Sequence, residues 1–134
     1  MKLWEIMGEL HTLFNPKIAE EWDNVGLLIG DNTKDVNKVL FCLDVTEKVI
    51  EKSIKNNVDL IISHHPVIFS GFKKVTNETL HGRKLLKLIE NKIAVYSIHT
   101  NSDFAINGLN DFIMDKLNLD GEKIIFNEHE FEDY

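Results

Sequence analysis

Two histidines stand side by side at His64-His65, ahead of Pro66, and a third opens the run His99-Thr100-Asn101-Ser102-Asp103. Neutral imidazole is a good ligand for zinc, iron, nickel or copper, and carboxylate oxygen suits hard and borderline cations. His64, His65 and Asp103 would together offer a nitrogen–oxygen site for a divalent metal ion. Neighbouring side chains in a regular strand point to opposite faces, so both imidazoles share a pocket only where the backbone turns beyond a strand end. Pro66 holds His65 extended and stops a helix from starting there. Two adjacent histidines can also serve two metals, one each, with a carboxylate nearby. From spacing alone, a polar loop is the commoner reading of a His-His pair. For His99 with Asp103, a hydrogen-bonded loop accounts for the residues as well as ligation does.

Other polar candidates carry less. Asp44 has a bland role available, capping a helix that begins near Thr46. His11 and His81 fall in helical patterns with no partner at ligand spacing, where packing or exposure explains them. Cys42 lies in an apolar run and reads as a buried, inert thiol. Gly26 and Gly30 do not form a phosphate-binding fingerprint, and neither a Walker sequence nor G-x-S-x-G occurs.

The elements that must position these groups can be read from periodicity. Leu3, Ile6, Met7, Leu10, Leu13 and Phe14 recur at helical spacing, which predicts an amphipathic helix over 2–14, ended by Asn15-Pro16. Short apolar runs predict buried strands over 39–43, 58–63 and 93–98. Between them, a helix over 47–57 follows Thr46 as N-cap, with Val49, Ile50, Ser53 and Ile54 inward. Residues 66–77 read as loop. A helix over 78–91 should turn Leu80, Leu85, Leu86 and Ile89 inward, and one over 107–117 should bury Leu109, Phe112, Ile113 and Leu117. A last strand is expected over 123–126. Alternation of this kind predicts an α/β layered fold with a mainly parallel or mixed sheet flanked by helices. In such sheets ligands sit beyond the carboxyl ends of the strands, where Asp44, His64-His65 and His99 all fall.

Composition bounds the rest. With 134 residues the expectation is a single α/β domain over 1–126, followed by an acidic tail over 127–134. A hydrophobic content of 43% is too high for a disordered chain. Lys plus Arg is 15 against 22 for Asp plus Glu, a net charge of −7 that argues against nucleic-acid binding through bulk charge. One cysteine excludes an intramolecular disulfide and any multi-Cys zinc site. The first segment lacks the basic start and unbroken apolar stretch of a signal peptide, and no run is long enough to span a membrane. A cytoplasmic setting is the simplest expectation.

Three motifs then converge. Glu21-Trp22-Asp23-Asn24-Val25-Gly26-Leu27, Ile62-Ser63-His64-His65-Pro66 and Ser97-Ile98-His99-Thr100-Asn101, with Asp103 and Gly108-Leu109-Asn110, occur in the order and at the spacing of one family. The chain resembles the Nif-three-like proteins, also labelled GTP cyclohydrolase I type 2 homologues. The resemblance implies a toroidal homohexamer with a dinuclear metal centre facing an internal cavity. Zinc, iron or another divalent ion would be bound, up to two per completed site. It makes His64, His65 and Asp103 metal ligands, and His99 a residue of the surrounding shell or a proton shuttle. Trp22, Asp23 and Asn24 would shape the pocket wall; packing over the sheet edge is an equal alternative for Trp22. The implied activity is that of a metal-dependent hydrolase acting through metal-activated water on a nucleotide-like or phosphoester small molecule. Lys73, Lys74 and Arg83 are candidate phosphate partners, although a solvated surface explains them more simply.

Family chains are about twice this length, and their C-terminal half supplies a further His and a Glu four residues later. Three of about five ligands are therefore expected here. The remainder would come from a separate chain or from the tail, where His129 and Asp133 have i, i+4 spacing; failing both, the centre has been lost. Besides the hydrolase reading, a non-catalytic metal-binding or regulatory protein and a structural half that assembles through an exposed apolar surface remain open.

Overall fold

The computed structural model describes residues 1–119 and Gly121. The strand expected over 123–126 and the acidic tail with His129 and Asp133 lie outside the described residues.

Among the described residues four strands form one mixed sheet in the order β1-β4-β3-β2: β1 (Gly26–Ile29), β2 (Val39–Cys42), β3 (Leu60–Ser63) and β4 (Ala94–Ser97). β2, β3 and β4 run parallel, and β1 lies antiparallel on β4. The sheet is flanked by α1 (Leu3–Leu13), α2 (Glu47–Lys55) and α3 (Leu80–Glu90), and two further helices follow it, α4 (Thr100–Phe104) and α5 (Leu109–Leu117).

The sheet divides the core into two layers through strand alternation. Leu60, Ile62, Ala94 and Tyr96 pack with Leu3 and Leu10 of α1 on one face. Ile61 and Val95 pack with Ile50 of α2 and with Leu85 and Leu88 of α3 on the other. Every residue of β3 and β4 is buried, as expected of central strands covered on both faces. Thr46 caps α2, its hydroxyl accepting from Val49 N, and Thr79 caps α3 by accepting from Gly82 N.

Two inward faces differ from expectation. α3 buries Gly82, Leu85 and Leu88, while Leu80 and Ile89 are exposed. Gly82 sits so close to Thr76 that a Cβ would lie 1.9 Å from its carbonyl oxygen. This close approach of loop to helix rotates the face. On α5, Leu109, Phe112, Ile113 and Leu117 are all exposed, so helical periodicity there marks an apolar stripe that nothing among the described residues covers. β1 and α4 were not expected; α4, at five residues, is too short to show a helical period. Among the described residues no helix is long and apolar enough to cross a membrane.

Candidate metal centre

Register sets up the site. Cys42, Ser63 and Ser97 pair across the three parallel strands, so their carboxyl ends are level. Gly26, which opens antiparallel β1, pairs with Ser97, so Trp22-Asp23-Asn24 arrives at that same edge. The ladder continues past the strands: His64 N donates to Cys42 O at 3.1 Å, His65 N to Leu43 O at 2.9 Å and Ile98 N to Ser63 O at 2.9 Å. Two fully buried serines brace the turn. Ser63 Oγ donates to His65 O and Ser97 Oγ to His64 O, each at 2.9 Å.

Three imidazoles converge there. His64, His65 and His99 each offer a ring nitrogen, all within 4.8 Å of one another, with ring centroids 5.0 to 5.6 Å apart. Each ring is oriented through Nδ1. His64 Nδ1 lies 3.0 Å from Ile98 O, His65 Nδ1 2.8 Å from Asp44 Oδ1, and His99 Nδ1 2.9 Å from Asp23 Oδ1. A carbonyl or carboxylate oxygen can only accept, so in the neutral ring Nδ1 carries the hydrogen and Nε2 keeps its lone pair. Carboxylate or carbonyl behind imidazole is the arrangement that fixes metal-ligating histidines.

Asp23 is the most deeply engaged group. Its carboxylate is fully buried and accepts from His99 Nδ1, Asn24 N at 2.7 Å, and the nitrogen and hydroxyl of Thr100 at 3.1 and 2.5 Å. Burial alone would raise its pKa, but the bonds from Thr100, His99 and Asn24 outweigh it and hold the carboxyl below the usual aspartate value. Cys42 goes the other way: burial and the nearby Asp44 charge push its thiol up to about 11, which fits an inert thiol.

Asp103 lies on α4 outside the three-imidazole group. Its Oδ1 is buried with no hydrogen-bond partner among the described residues, leaving that oxygen lone pair unused, a costly state in the absence of a cation or donor. Three neutral imidazoles with a spare buried carboxylate oxygen suit a borderline divalent cation better than a hard one.

The sequence profile of the family described as Duf34/NIF3 (NGG1p interacting factor 3) matches residues 1–130. The chain belongs to the Duf34/NIF3 family. It is 40% identical over 133 residues to a "GTP cyclohydrolase 1 type 2 homolog" of Clostridium perfringens, covering 91% of this chain and 51% of that protein. It is 44% identical to the "Protein NIF3 homolog" of Schizosaccharomyces pombe, covering 78% of this chain and 38% of the relative. Among solved structures, a Bacillus cereus protein related to NIF3 superposes with a TM-score of 0.86 at 37% identity, over 90% of this chain and 33% of that one. Reduced HcgD from Methanocaldococcus jannaschii gives 0.85 at 38% identity, over 92% and 49%. This Duf34/NIF3 chain thus spans between a third and a half of the length of these four relatives.

The sequence pointed to a surrounding-shell or proton-shuttle role for His99, and the fold sets its ring beside those of His64 and His65. Thr46 is the helix cap, as its position predicted, and of the two roles open to Asp44 the structure shows the strand-end one, orienting His65. The bracing roles of Ser63 and Ser97 and the buried anchor Asp23 were missed. The polar alternation at the strand ends was the only signal available for the serines.

Proposed function

We propose that the chain is a divalent-metal-binding member of its family that contributes to a metal-dependent hydrolase site for a nucleotide-like or phosphoester substrate. The observation that carries this is the trio His64, His65 and His99, each ring tied at Nδ1 to an oxygen acceptor and left with a free Nε2 lone pair. His64, His65 and Asp103 are the proposed ligands, and His99 either joins them or handles a proton beside them. A zinc, iron or similar ion held there, or two in a completed site, would supply Lewis acidity and water activated at neutral pH. The chain's own residues do the positioning. Asp44 and Asp23 hold the His65 and His99 rings, and Ile98 O holds His64. Thr100 and Asn24 keep Asp23 ionised, so that the proton of this pair stays on His99 Nδ1.

The relatives are two to three times longer, so further ligands belong to sequence that this chain does not align with. A groove of about 410 Å³, lined by Phe14, Cys42, Leu43, His64, Leu109 and Phe112 among others, adjoins the cluster. Its apolar side chains support association with another copy or with a separate chain carrying the remainder; the homohexamer is what the family resemblance adds, and the cytoplasmic setting is the expectation from the sequence. A metal-binding or regulatory protein without turnover is the second reading, favoured by Asp103 standing outside the trio.

Elemental analysis of the full chain purified without chelator tests the proposal. One or two divalent ions per chain are expected, lost in His64→Ala and Asp103→Asn while circular dichroism stays unchanged. A metal-free parent protein, or variants that keep the parent's metal, would sink it. Chelator-sensitive hydrolysis of a model phosphodiester separates the hydrolase from the second reading.

A further inference from the structure

Trp22 and Phe69 stand beside the histidine cluster and are more than half exposed, at 60% and 52%. Their rings are 6.0 Å apart and inclined at 53°, and the indole also meets the His99 ring edge-on at 6.3 Å. The backbone around this open pair is held firmly. Asp23, the next residue after Trp22, is the buried anchor of His99 and Thr100. Asn24 Nδ2 donates to Ile68 O at 2.7 Å, tying the loop that carries Phe69 to the turn that carries Trp22. A tryptophan used to pack over the sheet edge would be covered by that sheet. This one is held in place by its neighbours' hydrogen bonds while its own ring stays largely in solvent.

We infer that Trp22 and Phe69 form a stacking subsite for the aromatic heterocycle of the substrate, next to the histidines that face its reacting end. The inference rests on the proposed reading of the cluster as a site for a nucleotide-like substrate, and narrows that class to molecules carrying a planar ring. Indole and phenyl faces attract any aromatic ring through dispersion and quadrupole alignment, without reading which base it is. The edge-on contact between Trp22 and His99 places the indole directly beside the cluster, so that a ring stacked on it is held next to the histidines.

The test uses the full chain carrying Trp4→Phe, so that Trp22 is the single indole. Adenosine 5′-monophosphate and ribose 5-phosphate are titrated while fluorescence and binding heat are followed. The nucleotide is expected to quench Trp22 saturably and ribose 5-phosphate to leave it unchanged. Trp22→Leu and Phe69→Leu should each weaken nucleotide binding about tenfold, Trp22→Phe should retain most of it, and ribose 5-phosphate affinity should not move. Equal nucleotide affinity in Trp22→Leu and parent, or a parent that does not prefer the nucleotide to ribose 5-phosphate, would overturn the inference. Metal content is measured on the same samples. Preference for the nucleotide without metal uptake defeats the metal-centre reading alone; metal uptake without that preference defeats the stacking subsite alone.

Discussion

Asp23 and Asp44 perform the same task, each accepting from the Nδ1 of a histidine, but their surroundings set different worth. Asp23 is sealed from water with four donors on it, whereas the Asp44 and His65 side chains are 56% and 47% exposed. Removing a buried acceptor strands every donor that pointed at it, while an exposed partner is replaced by water. Asp23→Ala is therefore expected to lower unfolding stability by about 2–4 kcal/mol, and Asp44→Ala by no more than about 1 kcal/mol, as read from urea denaturation. Similar losses in the two variants would mean that Asp23 is not the anchor described. The motif around Trp22-Asp23-Asn24 was legible in the sequence as a pocket wall. That its aspartate reaches across to His99 and Thr100, 76 and 77 positions away, was not, because such a pairing depends on β1 lying antiparallel beside β4.

At the scale of elements, two helical glycines give opposite predictions. Gly8, in the middle of α1, has nothing within 4 Å of where a Cβ would stand, while a Cβ on Gly82 of α3 would fall on the Thr76 carbonyl. Alanine is favoured over glycine in a helix by up to about 1 kcal/mol. Gly8→Ala should raise the melting temperature, and Gly82→Ala should lower it, because backbone overlap outweighs the propensity gain. A Gly82→Ala protein that melts no lower than the parent would rule out the tight docking of the 66–79 loop onto α3. Helix and strand positions were largely visible from apolar spacing, since α1, α2 and β2 to β4 all lie within the expected spans. The inward face of α3 was not, because close approach of backbone to backbone has no periodic signature.

For the whole molecule, the ionisable groups bracket a pH window. Burial raises Cys42 to about 11 and Tyr96 to about 12. Groups raised on folding stabilise the protein below their unfolded values, near 9 and 10, and lose that contribution as pH climbs through the folded values. Burial, followed by the charge of Lys84, lowers His81. Asp23 and Asp59 are lowered too, since hydrogen bonds outweigh the opposing effect of burial. Such groups stabilise above their unfolded values and lose that contribution as pH falls. Chemical denaturation across pH should show stability easing below about 6.5, dropping more steeply below about 4, and declining again above about 9. A flat alkaline limb would contradict the burial of Tyr96. The second expectation concerns association. Phe41 is 71% exposed, and Leu43 and Phe112 line the groove beside His64. Leu43→Asp with Phe112→Asp should disperse an assembly seated on this groove in sedimentation velocity, and unchanged sedimentation would remove the groove as the interface.

The sequence by itself determined the alternating α/β order, the chemical types at the strand ends and the family, because apolar periodicity and short motifs are local properties of the chain. Tertiary structure alone decided which of those groups meet. His64 and His65 are neighbours in sequence, yet it is the level register of Cys42, Ser63 and Ser97, with β1 reversed against β4, that brings His99, Asp44 and Asp23 to them. The same geometry leaves Asp103 outside the trio and Trp22 open to solvent. Hydrogen-bonded register between distant strands is a property of the folded sheet, and no spacing within a single segment encodes it.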